Sequence, residues 1–114
     1  MIDWARVKTL QQEIGKEEFP EVLQIFFEES DSVIDTLAND PSEDYYEKAL
    51  HLLRGSALNL GFSQFAALCK EAETRAQQGL ADSVVIAAVI TTYHASRTAF
   101  MDGLAQQLGT TIGK

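Results

Sequence analysis

His51, Arg54, Gly55 and Leu58 stand at i, i+3, i+4 and i+7 of a helical stretch, so they form one stripe on its surface. A neutral imidazole is a nucleophile able to carry a transferred group. Arg54, one turn on, offers a cationic fork suited to phosphoryl oxygens. Glycine costs a helix interior about 1 kcal/mol relative to alanine, so Gly55 needs a reason to be there. Standing over the histidine one turn earlier, its missing side chain clears room for an added group and an approaching partner. Histidine, cation and small rim together describe a place where a phosphoryl group can be handed over.

Five helical segments position this stripe. The first runs from about Asp3 to Ile14, with Asp3 as N-cap, Val7, Leu10 and Ile14 inward, and Gly15 as the stop. The second starts near Phe19-Pro20 and runs to Leu37, with Phe19, Leu23, Phe26, Val33, Ile34 and Leu37 as its core face. Asp40, Pro41 and Glu43 read as a capping arrangement opening the third, Pro41 to about Leu58. Tyr45, Ala49, Leu52, Leu53 and Ser56 are its expected core positions, and Asn59-Leu60-Gly61 ends it.

The fourth covers roughly Ser63 to Gln78, burying Phe65, Leu68, Cys69, Ala72 and Ala76. The last, capped by Asp82 or Ser83, continues to about Leu108 with Ile86, Val89, Ile90, Tyr93, Phe100 and Leu104 inward. The tail from Gly109 to Lys114 is expected to fray. Short connections between long amphipathic helices favour antiparallel neighbours. The expected fold is therefore all-α, one domain over residues 1–114: an up-down four-helix bundle with an additional short N-terminal helix. The initial methionine and the full set of helices favour a free-standing protein.

Charge and composition remove several functions. The net charge is −8, with nine Lys and Arg against seventeen Asp and Glu, which argues against nucleic acid and against anionic lipid. No stretch is expected to approach the roughly 20 apolar residues that span a bilayer, and the N-terminus does not read as a secretion signal. One cysteine, Cys69, excludes an internal disulfide and fits a reducing cytoplasm; on the buried face it reads as packing. Two distant histidines and one cysteine make no recognised metal spacing. No phosphate-binding Gly-rich loop is present for ATP, and Ser56 stands on a different side of the helix from His51. His94, beside the core stripe of the last helix, reads as structural or surface.

The run His51-Leu52-Leu53-Arg54-Gly55-Ser56-Ala57-Leu58-Asn59-Leu60-Gly61-Phe62 resembles the signature of histidine-containing phosphotransfer (HPt) domains. The likeness continues through Leu68 to Glu73, Arg75 and Gly79, and back through the first two helices. The resemblance implies that His51 is the phosphorylated histidine, using its outer ring nitrogen, and that Arg54 supports the phosphoryl oxygens where the family more often has Lys. It implies that Glu73 matches a position which, in the chemotaxis-kinase branch, accepts a hydrogen bond from the inner ring nitrogen. Phe62 departs toward that branch, where many members have Ala.

The implied protein is a monomeric phosphoryl carrier between receiver-domain aspartates or a histidine kinase, with no cofactor of its own; the receiver supplies Mg²⁺ and most catalytic groups. Docking would use apolar surface near His51, with Gly55 and Leu58 as contact positions and the second helix as neighbour. The alternative is a helical-bundle adaptor that binds signalling proteins without phosphoryl traffic. A phosphohistidine phosphatase is a third reading, for which no base or metal set is visible.

Overall fold

The computed structural model describes residues 2–39, 43–80 and 82–109, with backbone alone for Glu43, Asp44 and Ser83. It contains α1 (Trp4–Ile14), α2 (Phe19–Asn39), α3 (Glu43–Leu60), α4 (Ser63–Gln77) and α5 (Ser83–Leu108). The expected capping by Asp40, Pro41 and Glu43 and the tail beyond Gly109 lie outside the described residues.

Helices α2 to α5 close a ring in which α2 meets α3, α3 meets α4, α4 meets α5, and α5 returns to α2. Helix α1 packs on α3 as the additional element. The architecture is the expected all-α bundle with an extra N-terminal helix.

The chain ends and turns explain why the helices stop where they do. Asp3 accepts a hydrogen bond from the Arg6 N–H at 3.2 Å, capping α1. Asp82 does the same for Val84 and Val85, at 3.1 and 3.0 Å, and caps α5. Helix α3 runs two residues past the expected Leu58. Its stop is Gly61, at φ +74°, where the Phe62 N–H reaches back to the Ala57 carbonyl at 2.9 Å. That is the six-to-one bond of a Schellman turn, and it brings Phe62 inward.

Phe62 is buried, and its ring centroid lies 6.1 Å from Phe27 and 5.5 Å from Phe100. The departure from Ala at this position therefore fills the core. Trp4 stacks on Phe100 at 5.5 Å and extends the cluster to α1. The same turn holds the chain start: the Asp3 N–H donates to the Gly61 carbonyl at 2.7 Å, beside an isolated antiparallel bridge between Ile2 and Phe62.

The expected core faces of α2 and α3 need correction. On α2 it is Phe27 that is buried, and Phe26 and Val33 are only partly so. On α3 the buried set is Tyr46, Ala49, Leu50, Leu53, Ala57 and Leu60, whereas Leu52 is 50% exposed and Ser56 half-buried. The face is rotated because the helix must seat His51 beside Glu73 of α4 while Tyr46, Leu50 and Leu53 fill the core. Turning Tyr45, Leu52 and Ser56 inward would swing the imidazole away from that carboxylate.

Lastly, Val84–Leu108 is long and apolar enough to cross a membrane by length and composition, against the expectation that no stretch is. Its large apolar side chains Ile86, Val89, Tyr93, Phe100 and Leu104 face the bundle core, and Arg97 and Asp102 interrupt it.

Asp31 and Arg97 tie α2 to α5: the Tyr93 hydroxyl donates to the Asp31 carboxylate, Arg97 Nε lies 3.3 Å from it, and the guanidinium sits 4.8 Å above the Phe27 ring.

A Cβ on Gly61 would stand 2.5 Å from the Asp3 carbonyl oxygen and 3.1 Å from the Val7 side chain. Gly61→Ala is therefore expected to lower stability by about 2 kcal/mol, read by urea unfolding, because it adds positive-φ strain to a backbone clash. Burial, with the nearby Glu73 charge, raises the Cys69 thiol from 9.0 to about 12 against a smaller opposing effect of Arg54. The folded thiol thus holds its proton more tightly than the unfolded one. Its contribution is fully present below pH 9.0 and is lost as pH rises toward about 12. Denaturant titrations should show stability falling across that window, with the slope reduced in Cys69→Ala.

Candidate functional site

His51 sits in the middle of α3, on the side turned to α4, with its side chain 64% exposed. Glu73 comes from the third turn of α4, and its side chain is only 10% exposed. Cys69 one turn earlier and Ala72 beside it are both fully buried, so α4 presses this carboxylate against α3. The Nδ1 atom of His51 lies 3.0 Å from Glu73 Oε2. Arg54 Nε lies 3.7 Å from the other oxygen, Oε1.

A carboxylate withdrawn from water is costly unless each oxygen finds a partner. Here both do, and both partners come from successive turns of α3. An ionised carboxylate only accepts hydrogen bonds, so the imidazole that meets it in its neutral form carries its proton on Nδ1. The lone pair then resides on Nε2, on the exposed side of the ring. The arrangement makes one specific nitrogen nucleophilic and gives the opposite nitrogen a fixed anionic neighbour.

The remaining expected positions share this exposed strip. Gly55 is exposed, and a Cβ built on it meets nothing within 4 Å. Among the described residues, no packing requires glycine there. Leu58, two turns beyond His51, is 59% exposed. The structure therefore brings His51, Arg54 and Glu73 into contact and lines up Gly55 and Leu58 beside them. Arg54 differs from the simplest expectation, since its Nε faces Glu73; among the described residues it enters no other ion pair.

His94 is exposed on α5 and lines a separate cavity with Asp31, Asp35 and Arg97. Among the described residues, no three His, Cys, Asp or Glu side chains converge to hold a metal ion.

Residue-by-residue reading named the second helix as a neighbour of the site but missed Leu52. Leu52, assigned to the core, is exposed immediately next to His51 and borders a notch with Glu29, Ser30, Val33, Leu53 and Ser56. The signal was present in the alternative inward stripe Tyr46, Leu50, Leu53, Ala57, Leu60, which keeps helical spacing for four turns and excludes Leu52.

Comparison with known proteins agrees with the geometry. The family model described as the Hpt domain matches residues 21–108, which includes α3, α4, α5 and nearly all of α2. The chain is similar to the phosphorelay protein LuxU of Vibrio vulnificus strain YJ016, 26% identical over 106 residues, covering 89% of this chain and 92% of that protein. LuxU of strain CMCP6 matches with the same identity and coverage. No solved structure matches. The chain belongs to the Hpt domain family, the histidine phosphotransfer domains of two-component phosphorelays.

Proposed function

We propose that His51 carries the phosphoryl group, taking it at Nε2 from a receiver-domain aspartate or a histidine kinase and passing it to another receiver. The observation that supports this reading is the 3.0 Å contact of Nδ1 with the buried Glu73 carboxylate, on an otherwise exposed ring. In the accepting step the Nε2 lone pair attacks phosphorus. The P–N bond forms as the acyl-phosphate P–O bond breaks, and the aspartate leaves as carboxylate.

The ring keeps its proton on Nδ1 throughout, so phosphorylation leaves a positive imidazolium. The Glu73 anion faces that new charge and stabilises the transition state leading to it. In the return step the same electrons go back to nitrogen and the ring becomes neutral.

Arg54 acts twice. Its Nε holds Glu73 in place, and its terminal nitrogens offer hydrogen bonds to the phosphoryl oxygens. Gly55 keeps the approach open, and Leu58 is apolar contact surface. The protein is a monomeric cytoplasmic carrier with no catalytic turnover or cofactor of its own; the receiver brings Mg²⁺ and the groups that drive transfer. The LuxU proteins, phosphorelay proteins by name, are matched over 92% of their length and support the relay role.

Incubation with a labelled phospho-receiver tests the reading. Acid-labile, base-stable label should appear on this protein and be absent from His51→Gln; no label from several receivers would favour the adaptor instead. Glu73→Ala should slow acceptance at least about tenfold and erase the downfield Nδ1 proton resonance, a signature that a purely structural role would leave in place. Gly55 should separate stability from function. Gly55→Ala is expected to raise stability by about 0.5–1 kcal/mol in thermal melts. Gly55→Gln should stay folded yet slow transfer from a receiver by about tenfold.

A further inference from the structure

The strip of α3 around His51 has two flanks, and the contact with Glu73 tells them apart. Successive residues of an α-helix turn by about 100°, so Lys48 and Gly55 stand about 60° and 40° to one side of His51, and Arg54 and Glu47 the same angles to the other. Arg54 faces Glu73, so its flank is the one turned to α4. Nδ1 of His51 points to that flank as well. Nε2, across the ring, opens away from α4, toward Lys48 and Gly55.

Gly55 gives that flank empty space, since a Cβ built there meets nothing within 4 Å. Lys48 gives it a charge. The residue is exposed, and among the described residues it enters no ion pair. Helical side chains lean toward the N-terminus, so the imidazole overhangs the turn that carries Lys48. Cβ atoms at this spacing are about 5–6 Å apart, within reach of a lysine stem. Arg54, by contrast, has its Nε committed to Glu73.

A phosphoryl group adds about two negative charges to a protein whose net charge is already −8. The carboxylates that surround it are unfavourable: Glu47 on the α4 flank, Glu73 at the other ring nitrogen, and Glu29 of α2 at the edge of the notch by Leu52. Left unopposed, they favour return of the group to its donor.

We propose that Lys48 is a second phosphoryl-binding residue, whose ammonium group closes on the oxygens of the phosphoryl carried at Nε2 from the flank opposite Arg54. It thereby sets how much of the transferred group this protein retains. A lysine ammonium is a mobile point charge, so it can follow the group once the partner has left, whereas Arg54 is held by its carboxylate.

The proposal rests on His51 being the carrier, and the two are tested apart. Phosphoramidate phosphorylates an exposed imidazole without any protein partner: its P–N bond breaks, a bond from phosphorus to Nε2 forms, and ammonia leaves with the electron pair. Label on the wild type and none on His51→Gln upholds the carrier; no label on the wild type overturns it and the role of Lys48 with it.

The phosphorylated protein is then titrated by phosphorus-31 NMR, following the phosphoryl group from monoanion to dianion. A cation beside the group favours the dianion, so the midpoint in Lys48→Gln should lie about 0.5 higher in pH than in the wild type. Lys48→Arg should keep the wild-type midpoint, and added salt should shrink the difference. Lys8→Gln, which removes an exposed charge on α1, should leave the midpoint in place. With a receiver domain at equilibrium, Lys48→Gln should shift the label toward the phospho-receiver about threefold. Equal midpoints in the wild type and Lys48→Gln overturn the proposal without touching the carrier. So does an equal shift in Lys8→Gln, which would trace the effect to net charge alone.

Discussion

One buried carboxylate organises the molecule's chemistry. Glu73 on α4 is withdrawn from water, and α3 supplies partners to both of its oxygens, His51 to one and Arg54 to the other. The pairing places constraints in both directions. It fixes the register of α3 against α4 at the middle of their contact, and it sets which ring nitrogen of His51 is turned away from the carboxylate. A shift of either helix by one residue would strand the carboxylate and turn the imidazole away. The stop at Gly61 and the inward Phe62 secure that register from the far end of α3.

The bundle around this pair is tied together at several points. The aromatic cluster of Trp4, Phe27, Phe62 and Phe100 joins α1, α2, α5 and the α3–α4 turn, and the Asp31 contacts with Tyr93 and Arg97 close the ring between α2 and α5. Against this frame the strip around His51 is exposed and thinly furnished: an open ring, a glycine with empty space above it, and half-exposed leucines. A carrier that must meet its partners at one atom benefits from a rigid platform and a bare approach, because the orientation of the ring is set before the encounter.

Much of this was legible in the sequence. Asp3 and Asp82 as caps, Gly15 as a stop, and the exposure of His51, Gly55 and Leu58 all follow from local rules that depend on a few neighbouring residues. The failures came where two inward faces were possible. Tyr45-Tyr46 and Leu52-Leu53 each offer two adjacent residues to the core, and periodicity along one helix does not choose between them. The choice is made by α4, through the need to seat Glu73 beside His51, and that is a contact between residues 22 apart in sequence. The notch by Leu52 was invisible for the same reason. Similarly, α5 resembles a membrane span by composition until the helices that cover its apolar side are in place.

The central claim is that Glu73 makes Nε2 of His51 the atom that carries phosphate. It is tested most directly by nitrogen-15 NMR of the phosphorylated protein, with phosphorus coupling read at each ring nitrogen. The account predicts phosphorus coupled to Nε2 of His51 with a proton retained on Nδ1. Phosphorus on Nδ1, or on any residue other than His51, would contradict it.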